Sequence, residues 1–161
     1  MDDQSRKQRA VDLFHEAYQR QMKGELEEAV KLYTQSIDLY PTAEAYTFRG
    51  WTYSFMGRID DAIDECHKAI AVDSTFGNPY NDIGAYLLQK GDIDGAIPWF
   101  ERALEASRYE SYCFPHMNLA RAYEAKRDWL RAKDEYRKAL AENKDYTPAA
   151  QGLARIRGHL N

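Results

Sequence analysis

Two cysteines, five prolines and nine glycines in 161 residues leave little material for several kinds of fold. Cys66 and Cys113 share no metal-ligand spacing and are too few to staple a secreted framework, so reduced thiols in a cytoplasmic protein are expected. So little Gly and Pro argues against a turn-rich β fold. No apolar run approaches the ~18 residues of a membrane span, and the opening "MDDQSRKQRAVDLFHEAYQRQ" has no apolar h-region. A net charge of −4 gives no broad positive footprint for nucleic acid. Catalytic signatures are missing as well: there is no GxSxG, no Walker-type glycine loop, no dinucleotide fingerprint and no HExxH. His15, His67, His116 and His159 stand in four separate segments. Without a nucleophile–base pair or a ligand cluster the chain has no chemistry to run, so no enzyme activity, metal or cofactor is expected.

What the sequence does contain is one pattern written four times. "MKGELEEAVKLYTQSIDLYP", "FMGRIDDAIDECHKAIAVDS", "QKGDIDGAIPWFERALEASR" and "AKRDWLRAKDEYRKALAENK" align on Gly24, Gly57, Gly91 and Arg127, which lie 33, 34 and 36 residues apart. Five residues after each stands an alanine: Ala29, Ala62, Ala96 and Ala132. Four further on come Tyr33, Cys66, Phe100 and Tyr136, and then small Ser36, Ala69, Ala103 and Ala139. Upstream, Ala17, Gly50, Gly84 and Ala120 precede the turn by seven residues, and Leu13, Tyr46, Tyr80 and His116 by eleven. Matched positions three and four apart share a helix face, so each unit reads as helix–turn–helix, with Gly ending the first helix in a left-handed conformation. A Gly or Ala at the crossing lets two backbones approach, and units that cannot bury their apolar faces alone must stack.

"GDIDGA" at the third turn begins like a calcium loop, but Gly95 falls at the fourth place where such a loop needs it at the sixth. Helix capping by Asp92 is the expectation. Pro98 should leave the Asp94 carbonyl unpaired towards solvent, with a slight bend. Phe100 should pack between helices, and Trp99 should lie nearer the outer side.

The runs Tyr80-x-x-Ile83-Gly84-x-x-Leu87 with Ala96-x-x-x-Phe100, and His116-x-x-Leu119-Ala120-x-x-Tyr123 with Ala132-x-x-x-Tyr136, resemble the tetratricopeptide repeat (TPR) family. The match covers about residues 10 to 146. Departures are Glu16 and Arg20 in the first repeat, Arg127 for the turn glycine, and two extra residues around Arg108–Tyr112. The resemblance implies an all-α solenoid in which antiparallel helix pairs wind into a right-handed superhelix. Repeats are expected at about 10–42, 43–76, 77–112 and 113–146 in a single domain, with a capping helix at 147–159. Ala150, Leu153 and Ala154 continue the first-helix pattern there, with Gln151, Arg155, Arg157 and His159 outward.

Family members bind partner segments in a concave groove lined by their first helices. That resemblance implies a non-enzymatic interaction module, an adaptor, scaffold or chaperone-like factor. The packing stripe is expected four, seven and eleven residues before each turn, leaving three, six, ten and thirteen for the groove. Groove candidates are Phe14, Tyr18, Phe48, Trp51, Phe55, Asn78, Asn81, Asp82, Phe114, Met117, Asn118, Arg121 and Arg155. Aromatic and Arg side chains are common anchors, and Asn can grip an extended backbone. The two-carboxylate clamp for heat-shock chaperone tails is expected to be absent, because its places hold Phe14, Tyr18, Trp51, Asn81 and Ala85. In the alternative reading, the aromatic N-terminal end docks against another copy.

Overall fold

The computed structural model describes residues 1–161. It contains α1 (Asp3–Met22), α2 (Leu26–Leu39), α3 (Ala43–Phe55), α4 (Ile59–Val72), α5 (Asn78–Gln89), α6 (Ile93–Glu105), α7 (Cys113–Ala125), α8 (Trp129–Glu142) and α9 (Thr147–Ile156), followed by a 3₁₀ turn over Arg157–His159. Odd-numbered helices are the first helices of the pairs. None is long and apolar enough to cross a membrane.

Local chemistry sets the boundaries. Asp2, Thr42, Asp92 and Asp128 each accept a hydrogen bond from the backbone N–H three residues on, which satisfies a donor that the first helical turn leaves open. Asp92 is therefore a helix cap. At the turns, Gly24, Gly57 and Gly91 take φ of +78°, +78° and +84°. The next residue then bonds back across the helix end, as in Glu25 N–H to Arg20 O at 3.0 Å. Arg127 adopts the same left-handed state at φ +60° and makes the same closure, Asp128 N–H to Tyr123 O at 2.9 Å. A side chain pays steric strain there of roughly 1–2 kcal/mol that glycine avoids.

The chain divides into two compact units, residues 1–79 and 80–161. In the first, α1 packs on α2, α2 on α3 and α3 on α4. Leu13, Ala17, Ala29, Leu32 and Tyr33 form one core cluster, and Ala43, Ala69 and Phe76 another. Arg49 spans from α3 to Glu65 on α4 at 2.7 Å and to Thr34 on α2 at 3.1 Å, so the nearly buried Glu65 carboxylate is neutralised.

In the second unit, Phe100 lies against Gly84, where a Cβ would stand 2.4 Å from the ring, so only glycine admits this approach of α5 and α6. Further cores gather Ala96, Phe100 and Leu119, and Met117, Ala120, Ala132, Tyr136, Ala149 and Ile156. The repeat-defining Ala29, Ala62, Ala96 and Ala132 are fully buried, as are Tyr33, Cys66, Phe100 and Tyr136. α6 runs through Pro98 without interruption, and both Pro98 and Asp94 are exposed. Trp99 is half-buried and stacks on Tyr80, with Arg102 over both rings.

α9 presents a different face from the one its sequence suggests. Ala149, Gly152 and Ile156 are buried, whereas Ala150 and Ala154 are exposed. In the repeats, the positions matching Ala150 and Ala154 meet the second helix of the same pair. The α9 face that packs is instead the one towards the preceding pair, with Gly152 so close to Tyr136 that a Cβ would meet its ring at 2.4 Å.

Candidate functional site

In the first unit, α1 and α3 carry a run of aromatic rings. Tyr18 meets Phe48 at 5.8 Å, Phe14 meets Phe48 at 5.2 Å, Phe48 meets Trp51 at 5.9 Å and Trp51 meets Phe55 at 5.0 Å, measured between centroids. Most of these pairs are edge-to-face, the arrangement that ring quadrupoles favour. Phe14, Phe48 and Trp51 are half-buried, but Tyr18 is 39% and Phe55 56% exposed. At the Phe14 end of the run a recess of about 220 Å³ is lined by Ala10, Val11, Phe14, His15, Ser36, Thr42 and Glu44. A larger hollow of about 550 Å³ at the α1–α2 turn is lined by Leu26 and five charged side chains, of which Arg20 and Glu25 already pair at 2.7 Å.

In the second unit the first helices are joined by polar contacts. Asn118 Nδ2 donates to Asn81 Oδ1 at 3.0 Å, joining α7 to α5. Asp82 is half-buried, and desolvation pushes its carboxyl up to about 7. Phe114 is exposed and packs edge-on against Tyr146 at 5.7 Å. Arg155 on α9 donates to Glu124 on α7 at 2.9 and 3.2 Å and to the Tyr136 hydroxyl at 3.0 Å. Tyr136 in turn donates to Glu124 at 2.8 Å. Burial pushes the Glu124 carboxyl up, but the bonds from Arg155 and Tyr136 outweigh it and hold the group below the usual range. Burial and the Glu124 bond push the Tyr136 hydroxyl up to about 12.

The expected groove stripe is only partly open. Thr47, Asn81 and Met117, each ten residues before its turn, are buried at 2%, 9% and 3% exposure, and so is Gln21 at three before. First helices touch neighbouring first helices, α1 with α3 and α7 with α9, and this covers the inward edge. Met117 belongs to the core shared with α8 and α9 and lines no surface. The positions left accessible lie two, six, nine and thirteen before the turn, as with Phe55, Tyr18, Asn118 and Phe114. Arg121 is exposed, whereas Arg155 is engaged by Glu124. Asn78 is half-buried at the start of α5.

Residue-type reasoning missed Tyr109. It lies on the segment between α6 and α7, half-buried, where burial and the nearby Asp82 charge push its hydroxyl upward. The two extra residues at Arg108–Tyr112 were the available signal, because they make this the longest connection between helix pairs.

Comparison with known proteins decides the family. Two family models, both described as tetratricopeptide repeat, match residues 13–43 and 49–111. The chain belongs to the tetratricopeptide repeat family. It is 26% identical over 144 residues to DnaJ homolog subfamily C member 7 of Homo sapiens, covering 87% of this chain and 29% of the relative. It is 30% identical over 78 residues to small glutamine-rich tetratricopeptide repeat-containing protein 2 of Mycosarcoma maydis, covering 48% of this chain and 22% of that protein. The chain thus spans less than a third of these curated relatives. Pseudomonas aeruginosa PilF superposes with a TM-score of 0.88 at 19% identity, over 94% of this chain and 69% of that one. At that identity the likeness is one of fold. The TPR fold is that of a protein–protein interaction module.

Proposed function

We propose that this TPR protein is a non-enzymatic adaptor, scaffold or chaperone-like factor that holds a peptide or flexible protein segment against the accessible faces of its first helices. The observation that carries this reading is the aromatic run of α1 and α3. Rings that serve only as core would be covered, yet Tyr18 and Phe55 present much of their surface, and Phe14 of the same run lines a recess large enough for an apolar side chain. Contiguous exposed apolar area on a folded protein marks interaction sites. Within this reading Tyr18, Trp51 and Phe55 anchor apolar groups, and Arg121 meets an acidic one. The aromatic residues at the clamp places make heat-shock chaperone tails poor occupants, although heat shock protein STI1 of Saccharomyces cerevisiae is a relative at 27% identity over 81 residues. Two buried cysteines suit a cytoplasmic setting.

The test is selection from a displayed library of random twelve-residue peptides, using wild type and folded Trp51→Ala and Phe55→Ser variants. Wild type should enrich peptides with apolar anchors, and both variants should lose them at least tenfold. Equal enrichment by all three would move the site elsewhere. Sedimentation over a dilution series addresses self-association: dimers of wild type that vanish in Phe55→Ser would assign the aromatic face to a second copy.

A further inference from the structure

The third repeat departs from the second and the fourth at one place on its second helix. Eight residues beyond the turn stand Glu65 in α4 and Glu135 in α8, and eleven beyond stand Lys68 and Lys138. Each pair closes within its own helix, Lys68 on Glu65 at 3.0 Å and Lys138 on Glu135 at 3.3 Å. In α6 the same two places hold Trp99 and Arg102. The cation is kept, and an indole replaces the acid that would serve it.

Arg102 settles on rings instead. Its guanidinium carbon lies 4.6 Å from the Trp99 ring centroid and 4.8 Å from that of Tyr80, and the two rings stack at 6.2 Å and 29°. Tyr80 is buried and Trp99 half-buried, whereas Arg102 is exposed. Other arginines over rings also hold an acid. Arg58 over Tyr53 pairs with Asp61 at 2.7 Å, and Arg131 over Tyr123 pairs with Asp128 at 3.5 Å. Arg102 enters no ion pair. Glu101 is adjacent in sequence and so faces another way, and Glu105 follows Arg102 in the order less favourable for a helical pair. A guanidinium laid flat on a ring keeps its N–H groups at the edge of its plane, and the ring fixes that plane before a ligand arrives. Two parallel N–H donors so oriented match the two oxygens of a carboxylate.

We infer that Arg102, oriented by Trp99 and Tyr80, is an interaction site on the α5–α6 pair that receives an Asp or Glu side chain of a protein partner. The partner supplies across the interface the acid that Glu65 and Glu135 supply within their own helices. Arg102 belongs to a second helix, whereas the proposed partner face is carried by first helices, so neither reading depends on the other.

Two measurements test it. The twelve-residue library is first depleted on Arg102→Gln and then selected on wild type, which removes peptides held by any other surface. The survivors should share an Asp or Glu. Changing that residue to Asn or Gln should weaken binding to wild type about tenfold, as for a lost charge-assisted pair. Arg102→Lys, which keeps the charge without the planar fork, should bind the survivors about threefold more weakly. No survivors, or survivors without a common acid, would overturn the site and leave the first-helix reading untouched. The second measurement uses Trp99→Glu, which gives the third repeat the acid of the second and fourth. It should fold, and it should bind the survivors about tenfold more weakly, because the introduced carboxylate occupies Arg102. Undiminished binding would overturn the site. Loss of the fold would show that the Tyr80–Trp99–Arg102 stack is a packing element, and the site would be withdrawn.

Discussion

Tyr33 and Tyr136 occupy the same place in their repeats, each twelve residues beyond the polar group it binds, and their surroundings differ instructively. In the first unit the Tyr33 hydroxyl donates to Gln21 at 2.8 Å, with the Phe48 ring of α3 6.5 Å from the tyrosine ring. In the second, Tyr136 donates to Glu124 at the same distance, and Arg155 of α9 closes on both. One joint is neutral and aromatic, the other ionic. The repeat frame sets where a polar group meets the buried tyrosine, and the following first helix must then supply a matching chemistry. The Gln21 amide carries no charge to offset, although its Nε2 is buried without a hydrogen-bond partner. A carboxylate needs a cation.

The sharpest way to break this comparison is to put the acid where no cation waits. Gln21→Glu should cost about 3 kcal/mol, as expected for a buried charge without a partner. Chemical denaturation would show it as a lower midpoint at unchanged slope, and a neutral result would mean that the aromatic joint tolerates charge. A difference between second helices comes next. α6 carries Pro98 where α4 has Asp64, and Pro98→Ala should raise stability by up to about 2 kcal/mol, somewhat below the usual interior cost because the site is exposed. A lower melting temperature would show that the proline is required. Arg155→Ala should cost about 1 kcal/mol, discounted because the arginine is half exposed.

The same ionic joint predicts a pH dependence. The folded Glu124 carboxyl lies below its ordinary value of 4.5, so its contribution is complete above that pH and is lost as pH falls through the folded value. Amide hydrogen exchange during acid titration should show α7 and α9 loosening before α1 and α3, and Glu124→Gln should abolish the difference in order. Simultaneous loosening in wild type would deny Glu124 this role. The smallest expected effect is at the turns. Arg127→Gly removes left-handed strain but loosens the unfolded chain, for a net gain of about 0.5 kcal/mol, whereas Gly24→Arg should cost about 1 kcal/mol. A melting-temperature shift of the same sign in both would contradict the turn geometry.

Much of the frame was legible beforehand. Alanines at a fixed offset from each turn, and a second apolar residue four beyond, share one helix face, and Ala29, Ala62, Ala96 and Ala132 are buried accordingly with Tyr33, Cys66, Phe100 and Tyr136. The turn conformation at Gly24, Gly57 and Gly91 followed from residue type, and even Arg127 keeps it because closure of the helix end depends on backbone geometry. The accessible stripe was less legible. Thr47, Asn81 and Met117 lie on the correct side of their helices by angle alone, but neighbouring first helices cover them. Angular position on a helix says which way a residue faces and nothing of how close the next helix lies.

By itself, then, the sequence determined the helix pairs, their turns and the residues that lock each pair, because these depend on interactions within about forty residues of chain. Only the tertiary structure decided that Arg155 is held by Glu124, that α9 packs through Gly152, and that Asn118 of α7 bonds Asn81 of α5. Those outcomes depend on distances between elements, and hydrophobic periodicity, which reports direction around one helix axis, carries no information about them.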